Sequence, residues 1–185
     1  MSRALRMWPL LTATQRYEKL VSTRNRGHGQ YIEAPILAYL IETPQGRILY
    51  DAGCDYRKIA TPEMRTRYFA DEVANSDGWR LQDREYTVSA GVHAVASPGH
   101  TAGHLSLFVE LPHGKPVILC GDAADLRENL RDEIAPGLCW QDDESLAIAS
   151  IRKLNALAAR EKADLWPNHD FDAYRAWPQF PAWRS

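Results

Sequence analysis

Three apolar segments of this chain are each followed, within a few residues, by a histidine or an aspartate. The segments and the residues that follow them are 91–96 with His100, 117–120 with Asp122, and 164–166 with His169. Side chains in loops at strand ends point into the space above the edge of a sheet. A buried carboxylate there is costly unless a hydrogen-bonding network or a metal ion satisfies it. Imidazole and carboxylate groups placed in this way predict a hydrolytic metal centre with His100, Asp122 and His169 as its ligands.

The remaining histidines are weaker candidates for chemistry. His28, His93 and His113 are expected in loops or on strand surfaces, where a histidine usually has a structural role. His104 lies at the start of the strand that follows His100. We expect it to support the loop by hydrogen bonding rather than to bind the metal.

The strand and turn signals predict one domain with a layered α/β (α+β) fold and antiparallel or mixed sheets. A hairpin is expected over 35–51, because the T-P-Q-G sequence at 43–46 fits a type I turn. A helix is predicted over 142–160 from an acidic first turn and an apolar stripe. The stripe consists of Ala147, Ile151, Leu154 and Ala158. Further strands are predicted at 86–88, 91–96, 105–111, 117–120 and 164–166, with a weak helical pattern at 62–73 and an irregular cover or short helix at 171–185.

Charge and cysteine content narrow the class of protein. The net charge of −2 argues against a general nucleic-acid-binding protein. Apolar runs long enough to span a membrane are absent from the sequence, so no membrane partner is expected. Cys54, Cys120 and Cys139 form neither a C-x-x-C pair nor a disulfide pattern, which favours a cytoplasmic location.

The motifs in combination resemble the metallo-β-lactamase superfamily, and within it the N-acyl homoserine lactonase branch. The resemblance rests on S-P-G-H-T-A-G-H at 97–104, G-D-A at 121–123 and N-H-D at 168–170, with the hairpin at 36–53 and the helix at 142–160. It implies an αββα sandwich with two metal ions, usually zinc. His100 would bind one ion, Asp122 would bridge both as the catalytic carboxylate, and His169 would bind the second. A metal-bound hydroxide would then open a small-molecule lactone or ester.

The chain departs from this family in its first half. The signature H-x-H-x-D-H is expected between Gly53 and Ala90, and residues 54–90 contain no histidine. The simplest description is an internal deletion near residue 60 in a single domain of residues 1–185, whose first half is truncated. Because a catalytic zinc needs about three protein ligands, the remaining residues cannot complete a site for two ions. Sheet edges exposed by such a loss favour a homo-oligomer.

Several functions are compatible with this pattern. The first is a lactonase-like, metal-dependent hydrolase that is impaired by the loss of half its ligands. The alternatives are a catalytically silent remnant that binds partners or oligomerises, and a thioester or other ester hydrolase resembling glyoxalase II. Asp125 adds a further departure, because the lactonase branch often has a tyrosine three residues after the bridging aspartate. Whether the deletion is natural, engineered or an omission from the recorded sequence stays open.

Overall fold

The computed structural model describes residues 3–51 and 85–185 of the chain. The helix predicted over 62–73 and the deletion predicted near residue 60 lie outside these described residues. Within the described residues, none of the helices combines the length and the apolar character that a membrane crossing requires.

The first sheet contains three antiparallel strands in the order β1–β2–β3. Their bounds are Arg6–Glu18 for β1, Tyr31–Thr43 for β2 and Gly46–Tyr50 for β3. The predicted hairpin over 35–51 is confirmed by β2 and β3. Its turn is closed by the Thr43 hydroxyl, which donates a hydrogen bond to the carbonyl of Gly46 at 2.9 Å.

β1 is not predicted from the sequence. Its inward side chains are apolar only near the start, where Met7 and Pro9 are buried, and residues 11–16 are exposed. The alternation of buried and less buried residues therefore covers too few positions to stand out in the sequence. The strand forms because β2 supplies hydrogen-bonding partners along nearly its whole length, from Glu42 opposite Arg6 to Tyr31 opposite Glu18.

The second sheet contains five strands in the order β4–β5–β6–β7–β8. Their bounds are Tyr86–Ser89, Val92–Ala96, Leu105–Val109, Val117–Leu119 and Asp164–Trp166. Neighbouring strands are antiparallel except β7 and β8, which are parallel. The sheet is therefore mixed, as predicted, and the fully apolar β7 is an interior strand.

The two faces of the second sheet carry different apolar clusters. The cluster between the sheets includes Met7, Leu37, Tyr39 and Ile41 from the first sheet and Leu107, Val109, Val117 and Leu119 from the second. On the opposite face of β7, Ile118 packs with residues of the long helix α2, Glu144–Glu161. The predicted stripe on that helix is confirmed, since all four of its residues are buried. The described residues thus form sheet, sheet and helix layers.

Two short helices complete the described fold. They are α1, Arg127–Asp132, and α3, Phe171–Arg175. After α3, the ring of Trp177 stacks on the buried ring of Trp166 with centroids 4.0 Å apart. The C-terminal segment therefore covers the end of the inter-sheet core, as the sequence predicts for 171–185.

Candidate metal centre

The strands β5, β7 and β8 all run in the same direction. β5 and β7 are each antiparallel to β6, and β8 is parallel to β7. Their carboxyl ends therefore meet at one edge of the second sheet. His100 follows β5, Asp122 lies in a 3₁₀ turn directly after β7, and His169 follows β8. The structure thus brings the three sequence-predicted residues to the same edge.

The Asp122 carboxylate lies between the two histidines. Its Oδ1 is 3.1 Å from Nε2 of His169, and its Oδ2 is 3.6 Å from Nε2 of His100. Burial favours the neutral acid, but the hydrogen bond from His169 and the positive charges of both histidines outweigh it. The pKa of Asp122 is therefore held well below its usual range, and the group is a carboxylate at neutral pH.

The His169 ring is fixed through both of its nitrogens. Nδ1 lies 3.0 Å from the carbonyl oxygen of Pro35 in β2, and Nε2 faces Asp122. Burial opposes a charge on this ring, but the hydrogen bond to Asp122 and the negative charge of Asp125 raise the pKa of His169 to about 9. A hydrogen bond from Nδ1 to a backbone carbonyl is the usual arrangement that leaves Nε2 free for a metal ion.

Asn168 is a site residue that the sequence indicates only as part of the N-H-D motif. Its side chain is buried, and Nδ2 donates to Oδ1 of Asp122 at 3.2 Å and to Oδ2 of Asp51 at 2.9 Å. Asn168 therefore ties the Asp122 carboxylate to the end of the first sheet. Its own Oδ1 is buried without a hydrogen-bond partner among the described residues.

Asp125 is the functional candidate that sequence reasoning missed. Its carboxylate is buried, with 6% of the residue exposed, and lies within 4.8 Å of ligand atoms of Asp122 and His169. Burial raises the pKa of Asp125 to about 6, although the charge on His169 opposes this shift. The available signal was its position three residues after Asp122, in the segment that follows the same strand.

Two residues from the N-terminal part of the chain form a hydrogen-bonded support for Asp125. The Ser22 side chain hydrogen-bonds the Asp125 carboxylate. The Tyr17 hydroxyl lies 2.7 Å from Oγ of Ser22. Burial, reinforced by the charge of Asp125, raises the pKa of Tyr17 well above its usual value, so the phenol stays protonated. Tyr17 and Ser22 therefore orient Asp125 from the first-sheet side.

His104 supports the neighbouring loop. Its Nδ1 lies 2.8 Å from Oγ of Ser97 and 3.1 Å from the carbonyl oxygen of the same residue. Burial lowers the pKa of His104, although the charge of Asp122 opposes this effect. Gly121 is required beside it, since it has a φ of +56° and an added Cβ would lie 2.8 Å from Nε2 of His104.

A cavity of about 220 Å³ opens onto these residues. Its polar wall contains His100, Asp122, Asp125 and His169, and its other lining residues are Gln15, Tyr17, Val21, Ile36 and Leu138. Leu138 is 63% exposed and Val21 is 37% exposed, so apolar side chains form part of the exposed lining of the cavity. An apolar pocket with a few convergent polar groups is the usual form of a small-molecule site.

The sequence matches curated proteins that are named N-acyl homoserine lactonase. It is 28% identical to AiiA of Bacillus thuringiensis subsp. kurstaki over 155 residues, which cover 84% of this chain and 54% of that protein. It is 31% identical to AttM of Rhizobium radiobacter over 102 residues, which cover 54% of this chain and 38% of that protein. The chain spans about half the length of the curated relatives it matches first. No family model matches it.

Solved structures of the same class share the fold. A quorum-quenching N-acyl homoserine lactone lactonase superposes with a TM-score of 0.82 at 20% identity, with 100% of both chains covered. AidC, a dizinc quorum-quenching lactonase solved with a product, gives a TM-score of 0.65 at 13% identity over 100% of this chain and 97% of that one. The fold is therefore metallo-β-lactamase-like, and the resemblance to the N-acyl homoserine lactonase branch is confirmed.

Proposed function

We propose that this chain, which resembles the N-acyl homoserine lactonases in sequence and shares their fold, is a metal-dependent hydrolase that opens acyl lactones. The observation that carries the proposal is the convergence of Asp122, Asp125, His169 and His100 on one cavity. Carboxylate and imidazole groups suit a divalent ion such as zinc, so the donor set fits the metal that the fold implies.

When bound, a metal ion at this centre polarises the substrate carbonyl and makes a bound water more acidic. The centre is built on Asp122 and His169, whose ligand atoms are already 3.1 Å apart. Asp122 is ionised at neutral pH because both histidines stabilise its charge. His169 is held in place by the carbonyl of Pro35.

His100 is suited to handle a proton in this reaction. Its Nε2 is 3.6 Å from Oδ2 of Asp122, 29% of its side chain is exposed, and it lines the cavity. Hydrolysis adds water to the carbonyl carbon and breaks the ring C–O bond, so the departing oxygen needs a proton. We assign His100 to donate that proton from Nε2, the ring nitrogen that faces Asp122.

The apolar part of the cavity lining favours a substrate with an acyl chain. Val21, Ile36 and Leu138 line the same cavity as the ionisable groups. A lactone carbonyl beside the ionisable groups would leave an attached acyl chain within reach of these apolar side chains. Ester and thioester substrates remain the second class, because the same carbonyl chemistry serves them.

The experiment compares zinc-loaded and chelated protein on three substrates: N-hexanoyl homoserine lactone, an unacylated γ-lactone and an acyl thioester. We expect the acyl lactone to be opened fastest, and Asp122→Asn to lower its kcat/KM by at least about 100-fold. The exposed carboxylate Asp172, with 86% of its side chain accessible, provides the matched control Asp172→Asn. A rate no higher than that of chelated protein would reject the hydrolase function, and faster thioester cleavage would reject the lactone preference.

A further inference from the structure

We infer that Asp125 is a metal ligand and that this chain holds one divalent ion, bound by Asp122, Asp125 and His169. This arrangement replaces the two-ion site that the family resemblance implies. The inference rests on the metal dependence proposed above, and goes further by naming the ligands and the number of ions. It assigns His100, a ligand in the sequence interpretation, to the opposite side of the Asp122 carboxylate.

The spacing of the cluster suits one ion. Two ligand atoms on a tetrahedral zinc ion lie about 3.3 Å apart, given metal–ligand bonds of about 2 Å. Nε2 of His169 and Oδ1 of Asp122 are 3.1 Å apart, close to that separation. One carboxylate oxygen of Asp125 lies within 4.8 Å of the ligand atoms of both residues. An ion bound by His169 and Asp122 would therefore draw the Asp125 carboxylate closer to complete the set of three donors.

The Asp125 carboxylate is also held in place by neighbouring groups, as is expected for a metal ligand. It is 6% exposed, and burying a carboxylate so deeply is costly unless a positive group or hydrogen bonds compensate. Ser22 donates to it, and Ser22 is in turn within 2.7 Å of the Tyr17 hydroxyl. Hydrogen-bonded supports of this kind are typical of metal-binding carboxylates.

His100 lies outside the cluster. It faces Oδ2 of Asp122, whereas His169 faces Oδ1 of the same carboxylate. The two histidines therefore face different oxygens of the Asp122 carboxylate. An ion bound next to His169 does not need His100 as a ligand. This difference separates the proposed site from the His100, Asp122 and His169 set predicted from the sequence.

The test measures metal binding without substrate. Zinc chloride, and manganese chloride in parallel, are titrated by calorimetry into the full chain after removal of metal by a chelator. We expect about one zinc per chain for the wild type. Asp125→Asn should weaken zinc binding by at least about 100-fold, more than the usual loss of a supporting residue. His100→Ala should stay within about tenfold of the wild type, and Asp172→Asn should be unchanged.

A second set of measurements tests whether a loss of zinc binding in Asp125→Asn is caused by misfolding. Circular dichroism of metal-free Asp125→Asn should match the wild type, and its melting temperature should be equal or higher, because a buried charge has been removed. Zinc should raise the melting temperature of the wild type and of His100→Ala but not that of Asp125→Asn. If Asp125→Asn unfolds, Asp125→Glu replaces it: retained zinc binding with an altered Co²⁺ absorption spectrum supports direct ligation.

The outcomes for this inference and for the proposed function are distinct. Three results would each overturn the single-ion site, even if lactones are hydrolysed. They are a stoichiometry of two zinc ions per chain, zinc binding that Asp125→Asn does not weaken, and a Co²⁺ spectrum that Asp125→Glu does not change. One zinc that depends on Asp125, together with no lactone hydrolysis, would sustain the site and reject the function. Absence of zinc and manganese binding to the wild type would overturn both.

Discussion

Nε2 of His169 lies 3.1 Å from Oδ1 of Asp122, so in the metal-free protein a proton occupies the position that a metal ion would take. The pKa of His169 is raised to about 9, above neutral pH, so the ring is protonated there. A metal ion binds only the neutral ring and must displace this proton. At about pH 7.5, zinc binding should therefore release roughly one proton, and affinity should rise up to about tenfold per pH unit toward pH 9.

Calorimetry in two buffers of different protonation enthalpy measures this proton directly. His93 provides a matched control, because it lies on β5 with 38% of its side chain exposed. His93→Gln should leave the proton count unchanged. Below about pH 6, protonation of Asp125 should steepen the decline in affinity. An affinity that does not vary with pH would contradict the His169 assignment.

The hydroxyl of Tyr17 should tune metal affinity through Ser22. Tyr17→Phe removes the group that lies 2.7 Å from Oγ of Ser22, and Ser22 is the residue that hydrogen-bonds Asp125. Loss of a supporting hydrogen bond weakens metal binding by about 10–100-fold, and we expect the lower end here. Zinc titration of Tyr17→Phe beside Tyr31→Phe, whose residue is 62% exposed, makes the comparison. Equal affinities would show that Ser22 holds Asp125 without Tyr17.

Asn168 should support the centre by fixing Asp122. Asn168→Ala removes the donor that lies 3.2 Å from Oδ1 of Asp122, and the carboxylate gains freedom to turn. Zinc affinity should fall by about tenfold. Asn155→Ala is the control, because Nδ2 of Asn155 donates to the carbonyl of Leu130 in a different part of the fold. A similar loss of zinc affinity in both variants would point to a general loss of stability.

Much of the second sheet could be predicted from the sequence. In β6, the alternating residues Leu107 and Val109 lie in the core between the sheets. In β7, which is fully apolar, one face packs in that core and the other packs against helix α2. His100, Asp122 and His169 could be found because each follows a recognisable strand. Their proximity follows from the common direction of β5, β7 and β8.

The first-sheet contribution to the site could not be predicted in this way. Tyr17 and Ser22 reach the centre because β1 pairs with β2 over a long stretch, and that pairing leaves little local pattern. In the sequence, Asp125 stands out only as a carboxylate at a position where the lactonase branch often has a tyrosine. Its role depends on burial and on a partner more than 100 positions away, Ser22, and both are properties of the folded chain.

The loop that carries His100 depends on close contact between Gly99 and helix α2. Gly99 has a φ of +149°, and an added Cβ would lie 2.5 Å from the Cα of Ala147. Gly99→Ala should therefore cost at least about 2 kcal/mol in the free energy of unfolding, from backbone strain and overpacking. Gly103 lies in the same loop, and a Cβ added there would meet no atom within 4 Å. Gly103→Ala should therefore change stability by less than about 1 kcal/mol.

The same two variants distinguish an effect on the His100 loop from an effect on metal binding. Gly99→Ala moves the backbone next to His100 but does not touch Asp122, Asp125 or His169. Lactone turnover should fall, because His100 loses its position, while zinc affinity stays near that of the wild type. Urea unfolding, zinc titration and lactone hydrolysis of both glycine variants make the test. Loss of zinc binding in a folded Gly99→Ala protein would place His100 among the metal ligands and contradict the single-ion cluster.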